Sequence, residues 1–333
     1  MKVLLAGFPT DLDTCFHRSC EDAGIELTNV MVYRPNPYNE IPLEGKYVLI
    51  SDPRIDDVLN QDYDLYIFRY PFWLDQQPKL QALIGKKPIV VLTTEQGPTR
   101  EETMPTCEPF QIIGVNNRQE ILRYKERFPN KKILYFPFGA VNFREDERQP
   151  NPKYKCDFVA DGAPHYSCVC CNGLKRASLD VLVQPLLDYD VALYGHCTIS
   201  PDEHSWQHMP GGEAHYRGVY LANEHPKVYN SAKAYLGITF NWRDGGFGVK
   251  LGRALSTGVP IIWHRTLGQE LEGLEEGKHF FCSSSPDETR EVAAYILSHE
   301  AEAKAVGECG RLWAVENWGY DKTLERLVRE IHA

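Results

Sequence analysis

The chain has 333 residues, of which 43% are hydrophobic, 25% charged and 11% aromatic, and at about 150 residues per domain this length predicts two domains. Lys and Arg number 36 against 46 Asp and Glu, and the net charge of −10 excludes a global positive field that would capture nucleic acid or an anionic membrane surface. No run approaches the roughly 18 apolar residues that a bilayer span needs, which excludes an integral membrane protein.

The chain begins with a short apolar run that soon meets Asp11 and Asp13. Because this run is too short for the apolar region of a secretory signal, we expect a cytoplasmic protein. Similar runs, bounded by Gly, Pro and Asp, recur along the chain. They predict strands at Val3–Ala6, Leu65–Phe68, Ile89–Leu92, Ile133–Phe136, Asp157–Ala160, Val191–Tyr194, Tyr235–Phe240 and Ile261–Trp263. Continuous rather than alternating apolar character is typical of parallel strands that are covered on both faces.

A linker is predicted after the fourth of these strands. Residues 143 to 154 are polar, contain prolines and show no hydrophobic periodicity, and a new strand begins in CDFVADG. We therefore predict an N-terminal domain over 1–145, a C-terminal domain over 155–315, and a terminal helix over 316–333 that packs back across the boundary. Both halves open with an apolar strand that ends at a glycine, Gly7 or Gly162. Parallel sheets bind ligands at the carboxyl ends of their strands, which predicts a cleft site.

The cysteines give a weak metal signal. Ten are present, and only Cys168, Cys170 and Cys171 cluster. Further candidate zinc ligands are His165, Cys156, His196 and Cys197. The C-x-C-C spacing lacks the paired C-x-x-C knuckles of structural zinc sites. We therefore favour reduced thiols and a plain loop, and predict no metal.

The segment from Asn241 to His264 carries the clearest chemical signal. A glycine-rich loop at residues 245–248 leads into a short helix that stops at Gly258. Glycine amides and a helix N-terminus favour an anion such as a diphosphate, and Lys250 and Arg253 add full positive charges. The loop matches neither the Walker pattern nor G-x-G-x-x-G. The residues alone therefore also fit a simple strand-to-helix turn with both basic side chains solvated.

Two helices are predicted near the C-terminus. Ser285, Pro286 and Glu288 form a capping box with proline at the first helical position. Apolar or aromatic residues then follow at helical spacing, at Val292, Tyr295, Ile296 and His299. The last helix has Asp321 as its expected cap and carries one apolar stripe, formed by Leu324, Leu327, Val328 and Ile331.

Several ordered segments together carry a family resemblance. They are YNSAKAYLGITFNW and FGVKLGRALSTGVPIIWHRTLGQELEGLEEGKHFF with the helices after them, and earlier YDLYIFRYPF, KKILYFPFGAV, CDFVADG and DVALYGH. From Tyr229 onwards the chain resembles the C-terminal half of two-domain glycosyltransferases of the GT-B fold, and in particular the spore-maturation-type proteins grouped with family 1 transferases. The resemblance implies an α/β, GT-B-like fold in which two Rossmann-like parallel-sheet domains face a central cleft.

The resemblance also implies a function. A sugar would move from a nucleotide-diphosphate donor, a UDP-sugar, to a hydroxyl acceptor, as in a hexosyl- or pentosyltransferase. The C-terminal domain would bind the donor and the N-terminal domain the acceptor. Basic side chains and a helix dipole would stabilise the departing diphosphate, so we expect neither a metal nor a cofactor beyond the nucleotide sugar as co-substrate. The implied donor-binding residues are Gly246, Phe247, Gly248, Lys250, Arg253, Lys175, Arg176, Gly195, His196, Gly218 and Val219.

One donor residue departs from the family pattern. Arg253 stands where many relatives have a Glu that hydrogen-bonds the donor ribose or sugar. An arginine there would instead clamp phosphate in a bidentate manner. On this hypothesis Arg253→Ala weakens donor binding far more than folding.

Candidate catalytic groups lie at the ends of N-terminal strands. An inverting reaction needs a base, and Asp13, Glu95 and Asp11 are the candidates. Asp11 and Asp13 are also explained as caps of a helix that begins near Thr14, and Glu95 as a solvated loop residue. Acceptor-binding candidates, including aromatic side chains suited to stacking, are His17, Arg69, Tyr70 and Trp73.

The acceptor and two other functions stay open. A glycan, a small metabolite, a protein surface and a modified DNA base all fit such a cleft, although the net charge of −10 does not favour DNA. One alternative is a non-catalytic nucleotide-sugar sensor, which the replacement of the Glu by Arg253 would fit. The other alternative is a GT-B-fold sugar epimerase.

Overall fold

The computed structural model describes residues 1–7, 11–31, 47–69, 74, 76–93, 104–137, 139–162, 176–195, 206–238, 249–265 and 272–332. Contacts divide the chain into two units: Met1–Val141 with Asn317–Ala333, and Asn142–Glu316. The segment predicted as a linker lies at the start of the second unit. It is anchored there because Phe143 and Tyr154 are buried, with exposed fractions of 7% and 2%.

A parallel sheet of seven strands forms the centre of the first unit. Its strands are β1 Lys2–Gly7, β2 Glu26–Met31, β3 Tyr47–Leu49, β4 Leu65–Arg69, β5 Ile89–Thr93, β6 Ile112–Val115 and β7 Lys132–Tyr135. Their order across the sheet is β3-β2-β1-β4-β5-β6-β7. The described helices of the N-terminal segment are α1 Asp11–Asp22, α2 Ile55–Leu59, α3 Pro78–Gln81 and α4 Arg118–Arg127. The apolar runs are buried because helices and loops cover both faces of the sheet.

A parallel sheet of five strands forms the centre of the second unit. Its strands are β8 Cys156–Asp161, β9 Val191–Tyr194, β10 Ala232–Gly237, β11 Ile261–His264 and β12 Phe281–Ser283. Their order is β12-β11-β10-β8-β9. The described helices that begin in this unit are α5 Arg176–Leu182, α6 His225–Asn230, α7 Val249–Thr257, α8 Pro286–Ser298 and α9 Glu300–Trp318. The two parallel sheets confirm the predicted α/β fold class.

Helix α8 begins as its sequence predicts. The side-chain oxygen of Ser285 accepts a hydrogen bond from the backbone nitrogen of Glu288 at 3.2 Å, and Pro286 is the first helical residue. Helix α7 likewise ends where predicted, since Gly258 follows it with a φ of 80° that side chains rarely adopt.

The C-terminal helix α10, Tyr320–His332, packs within the first unit. The ring of Tyr320 lies edge-on to that of Phe16 on α1, with 4.7 Å between centroids. A guanidinium nitrogen of Arg326 donates to the carbonyl oxygen of Tyr135 at 3.1 Å. Because the helix begins at Tyr320, Asp321 belongs to its first turn and the predicted cap position is wrong by one turn position.

Both strand orders reverse at one place in the sheet. In the first unit the reversal lies between β1 and β4, and in the second between β8 and β10. At such a point the connections leave the sheet towards opposite faces, and a crevice opens at the carboxyl ends of the two strands. These ends are Gly7 and Arg69 in the first unit, and Asp161 and Gly237 in the second.

No described helix combines the length and apolar composition that crossing a bilayer requires.

Candidate functional site

The carboxylate of Asp161 is the centre of a buried polar cluster at the reversal point of the second sheet. Asp161 is the last residue of β8, and its side chain is 5% exposed. Three tyrosine hydroxyls donate to it: Tyr220 at 2.5 Å, Tyr229 at 2.7 Å and Tyr235 at 2.9 Å. Two cations complete the set, with Lys250 Nζ 3.2 Å from Oδ1 and Arg253 Nη2 3.1 Å from Oδ2. We call these six residues the Asp161 cluster.

Four separate segments bring these side chains together. Tyr235 lies on β10, directly beside β8, and Tyr229 lies on the short helix α6 that precedes β10. Lys250 and Arg253 are three residues apart on α7 and therefore share one face of that helix. Tyr220 lies in the irregular segment before α6. The fold thus directs one carboxylate, two cations and three hydroxyls to the carboxyl end of β8.

The ionisation of the cluster follows from its contacts. Burial alone would raise the pKa of Asp161, but the charges of Lys250 and Arg253 and the tyrosine hydrogen bonds lower this pKa well below the ordinary range. Burial and the neighbouring carboxylate raise the pKa of the hydroxyls of Tyr220 and Tyr235 well above their usual value. Near neutral pH the aspartate is therefore ionised and the phenols are neutral hydrogen-bond donors.

Three glycines lie beside the cluster at strand ends and in the following loop. Gly162, Gly195 and Gly218 have φ values of 97°, 101° and 90°. The amide of Gly162 donates to the carbonyl of Tyr194, and that of Gly195 to the carbonyl of Gly218, both at 2.9 Å. A Cβ on Gly162 would lie 1.9 Å from Lys250 Nζ, whereas a Cβ on Gly218 would meet no described atom within 4 Å. The lysine therefore lies directly on the end of β8, beside an open backbone surface.

The two cations differ in access. The side chain of Lys250 is 27% exposed, and that of Arg253 is 10% exposed. Arg253 also donates to the hydroxyl of Tyr229 at 3.2 Å. The prediction that Arg253 serves the donor without a role in folding is therefore wrong, because its guanidinium is half of a buried ion pair. Lys250 is the cation that an incoming anion reaches more easily.

The other predicted donor residues are placed as follows. Arg176 begins α5, and its exposed side chain lies 3.5 Å from Asp180 one turn later. Val219 is exposed. Residues Lys175, His196, Gly246, Phe247 and Gly248 lie outside the described residues, so their roles stay predictions.

The first unit places part of its predicted site. Arg69 ends β4 at the reversal point of the sheet, and a Cβ on Gly7 would lie 2.8 Å from its carbonyl oxygen. His17 is buried on α1, with its Nε2 3.4 Å from Nδ2 of Asn29 on β2. Its imidazole thus occupies the position of a core histidine.

The remaining acceptor-side candidates are only partly placed. Helix α1 begins at Asp11, so Asp13 lies inside it and the predicted start near Thr14 is wrong. The side chains of Asp11 and Asp13, and all of Glu95, Tyr70 and Trp73, lie outside the described residues.

The candidate metal ligands give no site in the described part of the chain. There, no group of three or more His, Cys, Asp or Glu side chains is arranged to hold a metal ion. Cys156 is buried in β8, and burial raises the pKa of its thiol to about 12. Residues His165, Cys168, Cys170, Cys171, His196 and Cys197 lie outside the described residues.

His264 gives a testable pH dependence to the second unit. It ends β11, is 6% exposed, and its Nδ1 lies 2.8 Å from the hydroxyl oxygen of Ser178. Burial lowers its pKa from the ordinary 6.5. Because the unfolded chain then binds this proton first, unfolding becomes easier as the pH falls below about 6.5. We expect His264→Asn to remove up to about 1.4 kcal/mol per pH unit of this loss in denaturant titrations between pH 7 and 5.5; equal slopes for both proteins would contradict it.

Sequence patterns missed most of the Asp161 cluster. Asp161 was recognised only as part of a strand end, and the three tyrosines were assigned no role. The available signal was a carboxylate at the end of an apolar strand, directly before a glycine. Its partners lie 59 to 92 residues further along the chain, so only the sheet order brings them to it.

Comparison with known proteins agrees with this architecture. Residues 176–329 match the model of the family described as glycosyl transferase-like. The whole chain is similar to HepE from Anabaena, crystallised with UDP and glucose, with a TM-score of 0.67 at 11% identity over 100% of this chain and 99% of HepE. It is also similar to TarM from S. aureus, crystallised with fondaparinux, α-GlcNAc-glycerol and UDP, with a TM-score of 0.67 at 9% identity over 100% of both chains.

A third solved structure belongs to a different class of enzyme. A proposed UDP-N-acetylglucosamine 2-epimerase from Listeria monocytogenes gives a TM-score of 0.54 at 12% identity, over 99% of this chain and 95% of the other. No curated protein matches this chain in sequence. At these identities the likeness shows the fold, and the predicted two-domain GT-B architecture is confirmed.

Proposed function

We propose that this chain, a GT-B-fold protein with a glycosyl transferase-like segment over residues 176–329, moves a sugar from a nucleotide-diphosphate donor to a hydroxyl acceptor. The observation that carries the proposal is the pair of cations, Lys250 and Arg253, held at the reversal point of the second sheet. Open parallel sheets bind their ligands at this point, and two fixed cations there favour an anion. Uridine is the proposed base, because HepE and TarM were crystallised with UDP.

The second unit binds the donor in this proposal. An ammonium has three N–H donors, and Lys250 uses two of them on the carbonyl and the Oδ1 of Asp161. Among the described residues the third is left for a phosphate oxygen. The first turn of α7, where Lys250 lies, adds backbone amides and the positive end of the helix dipole. The open backbone at Gly195 and Gly218 is the proposed surface for the nucleoside.

Leaving-group stabilisation is the chemical contribution of this site. When the glycosidic bond to the donor breaks, negative charge develops on the β-phosphate. A lysine and a helix N-terminus that are already oriented stabilise this charge without reorganisation, and one such donor is worth about 100- to 1000-fold in rate. The proposed chemistry therefore needs no metal, and it places no requirement on whether the sugar is a hexose or a pentose.

The first unit binds the acceptor in this proposal. Its reversal point has Arg69 at the end of β4, where a guanidinium can orient a polyhydroxylated acceptor. Asp13, Glu95 and Asp11 remain the proposed bases for the acceptor hydroxyl, with Tyr70 and Trp73 as proposed stacking residues. The acceptor class is a glycan, a metabolite, a protein surface or a modified DNA base.

The experiment is to incubate the chain with a panel of nucleotide sugars and to measure both the free nucleotide and the sugar product. We expect slow hydrolysis of one donor, with release of nucleoside diphosphate, because water replaces the missing acceptor. Binding without turnover would instead support a nucleotide-sugar sensor, and an isomeric nucleotide sugar would support an epimerase. Absence of binding to every donor in the panel would contradict the proposal.

A further inference from the structure

The Asp161 carboxylate is unusually well occupied for one side chain. Oδ1 accepts from Tyr235 and Lys250, Oδ2 accepts from Tyr220, Tyr229 and Arg253, and the backbone carbonyl accepts from Lys250 at 2.5 Å. Five donors on two oxygens exceed the four lone-pair sites that a carboxylate offers. The side chain is held from several directions and has little room to rotate.

Such a carboxylate is poorly suited to touch a ligand itself. Its side chain is only 5% exposed, and its oxygens are already shared among three hydroxyls and two cations. An anionic ligand would also be repelled by it. What Asp161 can do is fix the cations around it, because each of the two accepts its position from a rigid acceptor.

The charges in the cluster are unequal. One carboxylate faces two cations, and the tyrosine hydroxyls are neutral. The described groups therefore carry one excess positive charge in a largely buried place, which an anion at the exposed end would offset. Lys250 is that end, since its side chain is 27% exposed against 10% for Arg253.

We propose that Asp161 is a positioning residue of the donor site: it does not contact the donor, but holds Lys250 at the end of β8 in the place where the donor diphosphate binds. The three tyrosines fill the rest of the carboxylate and keep it in one orientation. This inference rests on the proposed function, because it concerns the same diphosphate. Gly162 belongs to the arrangement, since any Cβ there would displace the lysine, lying 1.9 Å from its Nζ.

The test compares two probes on the full chain, UDP and uridine, by NMR titration. In Asp161→Asn we expect UDP to bind about tenfold more weakly, a loss typical of one charge-assisted hydrogen bond, while uridine affinity changes less than twofold. A purely structural role would weaken both probes together. Unchanged or tighter UDP binding, as would follow if Asp161 merely competed with phosphate for Lys250, would overturn the proposal.

A second comparison asks whether Asp161 acts through Lys250. In a Lys250→Met background, Asp161→Asn should weaken UDP binding less than twofold further; a full additional tenfold loss would overturn the proposal. If Asp161→Asn does not fold, Tyr235→Phe serves instead, because it keeps the charge and removes only one donor from the oxygen that Lys250 approaches. We then expect about a threefold loss for UDP and none for uridine, and equal affinities would overturn the proposal.

The proposed function fails separately from this inference. If wild-type protein binds neither UDP nor any other nucleotide of the panel, the transferase proposal fails. If wild-type protein binds UDP and Asp161→Asn binds it equally well, only the positioning role fails.

Discussion

Replacing Arg253 with alanine is expected to destabilise the second unit by about 3 to 5 kcal/mol, the cost of removing one partner from a buried ion pair. Arg253 is 10% exposed and donates to both Asp161 and the hydroxyl of Tyr229. The alanine variant leaves the aspartate buried with one cation fewer and creates a void beside Tyr229. The change is measured by denaturant unfolding, with hydrogen exchange of the β8 and β10 amides to assign the loss to the second unit.

A surface arginine of the same unit provides the matched control. Arg290 pairs with Asp287 one turn earlier on α8 at 3.1 Å, and its side chain is 54% exposed. Arg290→Ala should change the unfolding free energy by less than about 1 kcal/mol. Arg253→Lys should recover part of the loss, because it restores charge without the planar fork. A loss below about 1 kcal/mol for Arg253→Ala would contradict the buried ion pair.

Replacing Lys250 with methionine is expected to lower the rate of donor turnover by about 100-fold or more, the usual effect of losing one oriented donor to a developing anion. Methionine keeps the length and apolar stem of lysine but has neither charge nor N–H groups. Because Lys250 is more exposed than Arg253 and Asp161 retains Arg253, the effect on stability should be smaller than that of Arg253→Ala. The readout is kcat for release of nucleotide from the donor identified in the panel, together with the thermal midpoint.

Lys278→Met is the control for this variant. Lys278 is 58% exposed and pairs with Glu275 on the surface of the same unit. It should leave kcat unchanged. If Lys250→Met turned over the donor as fast as wild type, the cation at the end of β8 would have no part in stabilising the leaving group.

The strands were predictable because burial on both faces leaves a continuous apolar run. Each of the eight predicted strands is present, with ends displaced by up to three residues in the described part. Four were missed. β3 and β12 have only three residues each, β2 contains the polar residues Glu26, Thr28 and Asn29, and the four residues of β6 include a glycine. Short edge strands and mixed composition do not leave a recognisable run.

The donor site was predictable only in part. The pairing of glycines with Lys250 and Arg253 at a helix start indicated an anion site, and the structure brings both cations to the end of β8. The role of Arg253 changed, because the sequence does not reveal that Asp161 lies against it. That contact depends on β8 and β10 being neighbours at the reversal of the sheet. Pairings of this kind follow from topology, and local patterns carry no record of them.

The most direct test of the account is a crystal structure of the chain with UDP or a UDP-sugar. We predict the nucleotide at the carboxyl ends of β8 and β10, with a diphosphate oxygen within hydrogen-bond distance of Lys250 Nζ and the aspartate of the Asp161 cluster retaining its tyrosine partners. A nucleotide ordered on the first unit, or on the second unit with its diphosphate away from Lys250, would contradict the assignment of this site to the donor.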